Sequence, residues 1–192
     1  LMKHTIRALT GLAVSKGRKV RQCDAKNAFC HPTLPDDEIC VCIPPRGCPY
    51  SEPGTYWRLK KTLYGLRRRP RHWYQTFKAA LLDIGLTMCT HEPCAFIGTS
   101  PTGGTIYFGT YVDDCMYFGT DDATELWFEQ ELGKRLVIDF MGDLSYYLGV
   151  HYDWGQTPDG RLTVHCSQEG HIHRMLEQFD LVDAHAVKTP FR

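Results

Sequence analysis

The sequence lacks several features that would assign the protein to a class at once. No apolar run approaches the roughly 18–20 residues that span a bilayer, and the N-terminus lacks the pattern of a secretory signal peptide. We therefore expect no membrane partner. Internal repeats and low-complexity linkers are absent as well, which excludes solenoid and array architectures.

An excess of charge of either sign is also missing, because 22 Lys and Arg residues balance 22 Asp and Glu residues. Nucleic-acid-binding proteins usually carry a basic footprint, so this balance alone argues against such a partner. The distribution is uneven, however: residues 60–71 hold six basic residues and no acid, whereas residues 113–159 hold eleven acids and two bases. Neutrality therefore does not exclude a nucleic-acid partner.

Zinc-type cysteine motifs are absent, although the chain has nine cysteines. None of them lies in a C-x-x-C core, so a zinc site is disfavoured. The count is odd and no export signal is visible, which favours reduced thiols and a cytoplasmic location.

Apolar residues are frequent enough to form a core. Of 192 residues, 43% are apolar and 12% aromatic, as expected for one folded domain, or one domain plus a piece of another. Hydrophobic periodicity and turn residues predict an α+β fold, in which helices pack on one face of an antiparallel sheet. The predicted elements are, in chain order, a helix at 4–16, a strand at 19–24, a short strand at 38–43, a helix from Pro70 to Gly85, strands at 106–111 and 115–118, a helix at 122–136, strands at 147–154 and 161–166, and a helix around 172–179.

Three Asp-Asp pairs allow a comparison within the chain. Asp36-Asp37 lies in a Pro-flanked polar loop and Asp121-Asp122 lies where a helix starts, so a solvated turn and helix capping explain them. Asp113-Asp114 instead separates two aromatic-rich strand segments. A solvated hairpin turn and a cation-binding site are both open interpretations of this pair, because spacing alone does not distinguish them.

Asp24 favours the cation-binding interpretation. It ends the strand predicted at 19–24, and if that strand lies beside the 106–118 hairpin, Asp24 and Asp113 face each other across the sheet edge. Two such carboxylates can hold two Mg²⁺ ions about 3.5–4 Å apart, the arrangement that polymerases and nucleases use for phosphoryl transfer.

The basic segment, residues 60–71, is a candidate phosphate-binding surface. Aromatic rings lie within it or close by, at Tyr64, Trp73 and Tyr74. Basic side chains interleaved with aromatic rings can bind phosphates and stack on bases. A solvated loop beside a core tryptophan is the alternative, and we favour phosphate binding because a candidate metal site is present in the same chain.

Together these motifs resemble the reverse transcriptase of copia-type long-terminal-repeat retrotransposons. The match runs from about residue 5 to the end, and its specificity comes from Tyr-Val-Asp-Asp in combination with Leu-Tyr-Gly-Leu and Pro-Arg-x-Trp-Tyr. The matching segments, in the family's order, are Gln22–Phe29, Leu59–Leu66, Pro70–Tyr74, Glu92–Cys94, Tyr111–Asp114, Tyr147–Val150, Ser167-Gln168 and Thr189-Pro190.

The resemblance implies a polymerase palm with partial fingers over roughly residues 1–166, followed by the start of a thumb at roughly 167–192. It implies that the catalytic residues are Asp24, Asp113 and Asp114. Asp24, Asp113 and the backbone carbonyl of Ala25 would bind two Mg²⁺ ions, for which Mn²⁺ could substitute.

The resemblance also implies which residues contact substrates. Phe29 would lie under the sugar and exclude a 2′-hydroxyl, although its apolar character equally allows a core position. The nucleotide-binding residues would be Phe29, Tyr111, Gly65 and Arg67. The residues that bind template and primer would be Lys60, Lys61, Arg68, Arg69, Arg71, Leu148 and Gly149.

The function implied by the resemblance is RNA-directed DNA polymerisation. Its partners would be an RNA or DNA template with a primer, deoxynucleoside triphosphates, and the rest of a Pol polyprotein. We expect the remaining fingers, most of the thumb and the RNase H domain to lie outside this chain, and the whole to work in a cytoplasmic virus-like particle.

Three departures from the family pattern leave an alternative open. Arg67-Arg68-Arg69 replaces the usual Lys-Gln-Ala, Cys30-His31-Pro32 replaces Leu-Asn-Gly, and Gly109-Thr110 replaces bulky aliphatic residues. Such changes are typical of lineage variation or of an inactive remnant that keeps the fold and weak nucleic-acid binding. A Mg²⁺-dependent nuclease or phosphatase is a third hypothesis, drawn from the pattern alone.

Overall fold

The structure, a computed structural model, describes residues 1–52 and 54–185, so the Thr189-Pro190 motif lies outside the described residues. The chain divides into two compact units, the first covering Leu1–Asp143 and the second beginning at Leu144. The four helices are α1 (Lys3–Ser15), α2 (Arg69–Ile84), α3 (Asp122–Gly133) and α4 (Glu169–Gln178), with a short 3-10 turn at Ala28–Cys30. The strands are β1 (Arg21–Ala25), β2 (Val41–Cys42), β3 (Trp57–Arg58), β4 (Thr87–Met88), β5 (Ala95–Thr99), β6 (Thr105–Tyr111), β7 (Asp114–Gly119), β8 (Ile138–Asp143), β9 (Tyr146–Tyr147), β10 (Val150–Gln156) and β11 (Leu162–Ser167).

The first unit is built on a six-stranded sheet in the order β4-β5-β6-β7-β1-β8. Neighbouring strands are antiparallel throughout, and a separate two-stranded sheet pairs β2 with β3. The predicted α+β class with an antiparallel sheet is therefore confirmed. The adjacency of the 19–24 strand and the 106–118 hairpin, on which the cation-binding interpretation of Asp24 depends, is also observed, because β1 lies beside β7.

Helix α2 shows how the local sequence produces the core. Pro70 lies in the first turn, where a missing N–H costs nothing, and Gly85 ends the helix at a positive φ of 101°. The buried stripe of Trp73, Phe77 and Leu81 faces the sheet, as the spacing predicts. The Trp73 ring stacks on Phe77, which begins a series of ring contacts that continues through Phe108, Phe128 and Tyr117.

Helix α1 corrects the expectation that all helices pack on one face. Phe108 points into the core beneath α2 and α3, so its neighbour Gly109 faces the other side of the sheet. There Leu1 and Leu9 approach so closely that a Cβ at position 109 would lie 2.8 Å from Leu1 Cδ2. The glycine that departs from the family pattern therefore makes room for α1 on the second face.

Some elements were missed or misplaced by the sequence prediction. Strands β3, β4, β5 and β8 were not predicted, and the helix expected at 122–136 ends earlier, at Gly133. Of the basic residues just beyond it, Lys134 pairs with Glu131, and Arg135 pairs with Asp83 and donates to the Glu131 carbonyl in the last turn. Isolated strands of mixed polarity carry little periodic signal, which is why β8 escaped notice.

The second unit contains a three-stranded antiparallel sheet in the order β11-β10-β9 and the helix α4. The single strand expected at 147–154 is wrong, because the chain turns sharply at Leu148-Gly149 between β9 and β10. Both residues adopt positive φ, 47° and 85°, as the tight hairpin turn that matches strand twist requires. The amphipathic helix predicted around 172–179 is observed as α4.

Across the described ranges, no helix has both the length and the apolar character needed to span a bilayer.

Candidate active site

The β6–β7 hairpin places the Asp113-Asp114 pair at a strained turn. Tyr111 pairs with Asp114 across the hairpin, so the loop consists only of Val112 and Asp113. Val112 has φ of 63°, a left-handed conformation that is unfavourable for a β-branched residue. Such strain persists only where the surroundings hold the backbone, and it concentrates at functional sites.

Four groups hold this turn in place. The Trp73 indole N–H donates to the Val112 carbonyl at 2.7 Å, and the Thr110 hydroxyl donates to the same oxygen at 3.2 Å. The Asp113 carbonyl accepts from the Ala25 N–H at 3.3 Å and from the Cys115 thiol at 3.4 Å. Because Trp73 is only 1% exposed, the turn is fastened directly to the core.

Strand β1 brings Asp24 beside the hairpin. Asp24 is the register partner of Asp114 on β7 and of Asp139 on β8. Residues directly opposite each other in antiparallel strands point to the same face, so these three carboxylates share a face of the sheet. The Ala25 N–H donates to the Asp113 carbonyl, and hydrogen-bonded pairs alternate with non-hydrogen-bonded pairs along an antiparallel ladder. Asp24 and Asp114 are therefore a non-hydrogen-bonded pair, for which the Cα atoms are about 4.5 Å apart.

The electrostatics of the site follow from this crowding. Burial raises the pKa of Asp24, and the charges of Asp113 and Asp139 raise it further. The pKa of Asp114 is also raised, first by burial and then by Asp113 and Asp24. Lys26, two residues after Asp24, pairs with Asp139 at 2.8 Å, so that carboxylate already has a cation. Asp24, Asp113 and Asp114 thus form an acidic group whose charges repel one another.

The donor set is compatible with Mg²⁺. Among the residues that the structure describes, no cluster of three or more His, Cys, Asp or Glu side chains could hold a metal ion by itself. Mg²⁺ in phosphate-processing sites is usually held by one or two carboxylates together with substrate phosphates and water. The pKa values of Asp24 and Asp114 are raised first by burial and then by neighbouring carboxylates, so a bound cation would relieve the repulsive part, and the carboxylate oxygens present are of the kind that Mg²⁺ takes.

Phe29 and the basic segment form a second part of the first unit. Phe29 is half-buried against the core and makes an edge-to-face contact with Tyr64, with ring centroids 5.4 Å apart. The Arg69 guanidinium lies over both rings, 4.8 Å from the centroid of Phe29 and 5.5 Å from that of Tyr64. The core position that the sequence allows for Phe29 is thus met in part, since its ring packs on the core, whereas its contact with a sugar stays a prediction.

The remaining predicted residues are mostly exposed. Tyr111 is 47% exposed beside the turn, and Gly65 has φ of 102° in the loop before α2. Arg68 lies 3.8 Å from Glu38, whose other partner is His72 at 2.9 Å. The other exposed basic residues of the segment are Lys60, Lys61, Arg67 and Arg71. Leu148 and Gly149 lie in the second unit, at the β9–β10 turn.

Two residues of the site escaped the sequence prediction. Trp73 is identified by its spacing as a core residue, but nothing in the pattern shows that its indole N–H reaches the Val112 carbonyl. Asp139 lies on β8, which was not predicted, so its position beside Asp24 could not be inferred.

Comparison with known proteins gives a consistent result. A family model described as reverse transcriptase (RNA-dependent DNA polymerase) matches residues 2–192. The retrovirus-related Pol polyproteins from transposons RE2 and RE1 of Arabidopsis thaliana are each 31% identical over 97% of this chain and 12% of their own length. That from transposon TNT 1-94 of Nicotiana tabacum is 29% identical over 97% of the chain and 14% of its own length.

The chain therefore spans about an eighth of the length of these curated relatives. No solved structure matches it. The family match covers nearly the whole chain, and the relatives come from transposons, as the motif order around Asp24 and Asp113 implies. The chain thus belongs to the reverse transcriptase (RNA-dependent DNA polymerase) family and is a copia-like retrotransposon reverse transcriptase domain.

Proposed function

We propose that this chain supplies the catalytic centre of an RNA-directed DNA polymerase, which adds deoxynucleotides to a primer 3′-hydroxyl. The observation that carries the proposal is the proximity of Asp24, Asp113 and Asp114, at one end of the internal strands β1 and β7 and beside a strained turn that is fastened to the core. In this proposal the six-stranded sheet with α2 and α3 is the palm, and the loops around β2 and β3 belong to the fingers.

Asp24 and Asp113 would hold two Mg²⁺ ions, together with the Ala25 carbonyl and the phosphates of the incoming nucleotide. When bound, the ions would lower the pKa of the primer hydroxyl and neutralise charge on the pyrophosphate leaving group. Asp114 would tune the site electrostatically, because it is the cross-strand partner of Asp24. Trp73 and Thr110 would keep Asp113 in position through their hydrogen bonds to Val112.

The substrate contacts follow from charge and exposure. Lys60, Lys61, Arg67, Arg68 and Arg71 are exposed and would bind phosphates of the template, primer or nucleotide. Phe29, bordered by Tyr64 and Arg69, would contact the sugar. Tyr111 and Gly65 would also contact the nucleotide. Leu148 and Gly149, which belong to the second unit, would contact template and primer. The other Pol domains would be partners of this chain in a cytoplasmic particle.

Primer extension tests this proposal. The chain, extended by the flanking polymerase sequence of its parent polyprotein, should add deoxynucleotides to a primed RNA template in the presence of Mg²⁺. Asp113→Asn should lower the rate by about 1,000-fold, which corresponds to the loss of about 4 kcal/mol of transition-state stabilisation by the ions.

The matched control is Asp122→Asn, the same chemical change in an Asp-Asp pair that begins α3. It should leave the extension rate nearly unchanged. Incorporation that survives Asp113→Asn would refute the role given to Asp113. An unmutated protein that extends nothing with Mg²⁺ or Mn²⁺ would instead identify an inactive remnant, and cleavage of the template without any need for deoxynucleotides would indicate a nuclease.

A further inference from the structure

Hydrogen bonds hold the backbone of Phe29 in place. Phe29 lies in the middle of the 3-10 turn Ala28–Cys30, and its carbonyl accepts a hydrogen bond from the Thr62 hydroxyl. Thr62 is 2% exposed, and its own N–H donates to the Pro32 carbonyl at 3.0 Å. The loop that carries Phe29 is therefore joined to the basic segment, and the main freedom left to Phe29 is the rotation of its ring about the side-chain bonds.

Two side chains of the basic segment lie against the Phe29 ring. Tyr64 meets it edge to face, with ring centroids 5.4 Å apart, an arrangement that aromatic pairs prefer. The Arg69 guanidinium carbon lies 4.8 Å from the centroid of the Phe29 ring and 5.5 Å from that of Tyr64. Both distances are within the limit of about 6 Å for a cation–π contact. One cation therefore bridges the two rings and favours their observed orientation.

Arg69 differs in burial from the other basic residues of the segment. Arg69 is half-buried, whereas the others are exposed: Lys60, Lys61, Arg67, Arg68 and Arg71. A cation that is partly withdrawn from water is attracted more strongly to a ring face than an exposed cation is. Its ring contacts suit Arg69 to act on a neighbouring side chain, while the exposed residues suit contact with phosphates.

Helix formation does not explain an arginine at this position. Arg69 is the first residue of α2, where the partial positive charge of the helix dipole disfavours a cation. Alanine, which the family pattern has here, also forms helices better than arginine. The departure from the family pattern therefore costs helix stability, and the contacts with Phe29 and Tyr64 offset that cost.

We propose that Arg69 and Tyr64 are positioning residues, which hold the Phe29 ring in the orientation that excludes a 2′-hydroxyl and so help to determine the preference for deoxynucleotides over ribonucleotides. This inference rests on the proposed polymerase function, in which Phe29 contacts the sugar. Arg69 acts through Phe29 and not through the nucleotide. A ring that can also adopt a second rotamer leaves room for the hydroxyl part of the time, which weakens discrimination and leaves the acidic group in place.

Incorporation of single nucleotides tests this role. The chain, extended by the flanking polymerase sequence of its parent polyprotein, is supplied with a deoxynucleoside triphosphate or with the ribonucleoside triphosphate of the same base. The two values of kcat/KM give a selectivity ratio. Arg69→Ala should lower this ratio about tenfold, mainly through a lower KM for the ribonucleotide, a change within the range that a half-buried cation–π contact supplies. Arg69→Lys, which keeps a cation, should restore most of the ratio.

Arg71→Ala is the matched control, since it removes an exposed cation from the same turn of α2. It should weaken the use of both nucleotides alike and leave the ratio unchanged. If Arg69→Ala lowers kcat/KM equally for both nucleotides, the positioning role is overturned and Arg69 is a phosphate contact instead.

A second background separates Arg69 from the ring on which it acts. Phe29→Val should itself remove most of the selectivity, and Arg69→Ala in the Phe29→Val protein should then change the ratio no further. A further tenfold fall in that background would overturn the proposal, because Arg69 would be acting independently of Phe29.

The ring contacts have a measurement that needs no polymerase activity. Urea unfolding is followed for the parent chain, Arg69→Ala, Tyr64→Leu and the double variant. The double variant should shift the midpoint by less than the sum of the two single shifts, because both changes remove the same contact. Additive shifts would overturn the contact on which the proposal depends. A parent protein that extends no primer would refute the polymerase function and with it the effect on selectivity, while the unfolding data still decide whether the contact exists.

Discussion

An Asp-Asp dipeptide lies at each end of strand β7, and the pKa of an aspartate is lowered at one end and raised at the other. Just beyond its C-terminal end, Asp121 caps α3 by accepting hydrogen bonds from the Thr124 N–H and hydroxyl, at 2.8 and 2.9 Å. Asp122 pairs there with Arg18 at 2.6 Å. The hydrogen bond from the Thr124 backbone lowers the pKa of Asp121. At the other end the pKa of Asp114 is raised by burial and by neighbouring carboxylates.

The difference lies in what the surrounding protein supplies. At the α3 end, N–H groups and arginines satisfy the acids, and Arg18 and Arg21 also pair with Glu125 and Glu129 nearby. At the turn end, the hydrogen bonds that stabilise the hairpin go to backbone carbonyls, and the charge of Asp113 raises the pKa of both Asp24 and Asp114. An acidic pair whose charges are balanced by hydrogen-bond donors and arginines has a structural role. An acidic pair placed beside further carboxylates is suited to bind a cation.

The largest effect on stability and activity is expected when the β6–β7 turn loses a hydrogen bond that holds it. Trp73→Phe removes the indole donor of the Val112 carbonyl and leaves a cavity, so we expect the free energy of unfolding to fall by about 2 kcal/mol. Primer extension should fall by about 100-fold, because catalytic groups displaced by about 1 Å lose that much. Urea unfolding and single-turnover kinetics measure the two quantities.

Trp127→Phe is the matched control for that change. Trp127 lies on α3, away from the β6–β7 turn in sequence, and packs half-buried against the same core. It should cost stability without a comparable loss of extension per folded molecule. Equal losses of extension in the two variants would contradict the positioning role of Trp73.

Neutralising one carboxylate of the turn end should stabilise the protein. Asp24→Asn keeps the side-chain shape and removes a charge that Asp113 and Asp139 repel, so we expect a gain of about 1 kcal/mol at pH 7 without divalent metal. Extension activity should be lost. Thermal unfolding in the presence of a chelator measures the gain, and a lower Tm for Asp24→Asn would show that the carboxylates are not in conflict.

The same comparison should appear as a pH dependence. The pKa of Asp24 is raised on folding, so the folded state binds more protons than the unfolded state between the unfolded pKa of about 4 and the raised folded pKa. The stabilising contribution of Asp24 is complete below the unfolded pKa and is lost as pH rises through the folded pKa. The stability advantage of Asp24→Asn should therefore vanish at low pH and grow as the pH rises, which urea titrations at several pH values measure.

The smallest effect on stability is expected at Asp121, beyond the C-terminal end of β7. Asp121→Ala removes the cap of α3, and because its pKa is lowered on folding, the stability that Asp121 contributes is present at neutral pH and lost in acid. Tm at pH 7 should fall by a few degrees, and the deficit should shrink as the pH is lowered. A variant as stable as the parent at pH 7 would show that the cap is dispensable.

The sequence alone determined the class of the fold and the family to which the chain belongs. The stripe on α2, the Gly85 stop, the cap at Asp121 and the apolar strands around Asp113-Asp114 are local signals with a local physical cause, and the structure shows all of them. The family could also be inferred from the sequence, because each motif is a short run of consecutive residues and the motifs follow one another in the family's order. The roles of the individual site residues stay predictions that the variants above test.

Only the tertiary structure decided which groups meet. Strand register pairs Asp24 with Asp114 and places Cys23 against Cys115, and packing brings the Trp73 indole to the Val112 carbonyl. Contacts of this kind join residues far apart in the chain, and no periodicity in the sequence encodes a partner across a sheet. Gly109 is a further example. The sequence shows only that it departs from the family pattern, and the structure shows that α1 packs too closely there for a side chain.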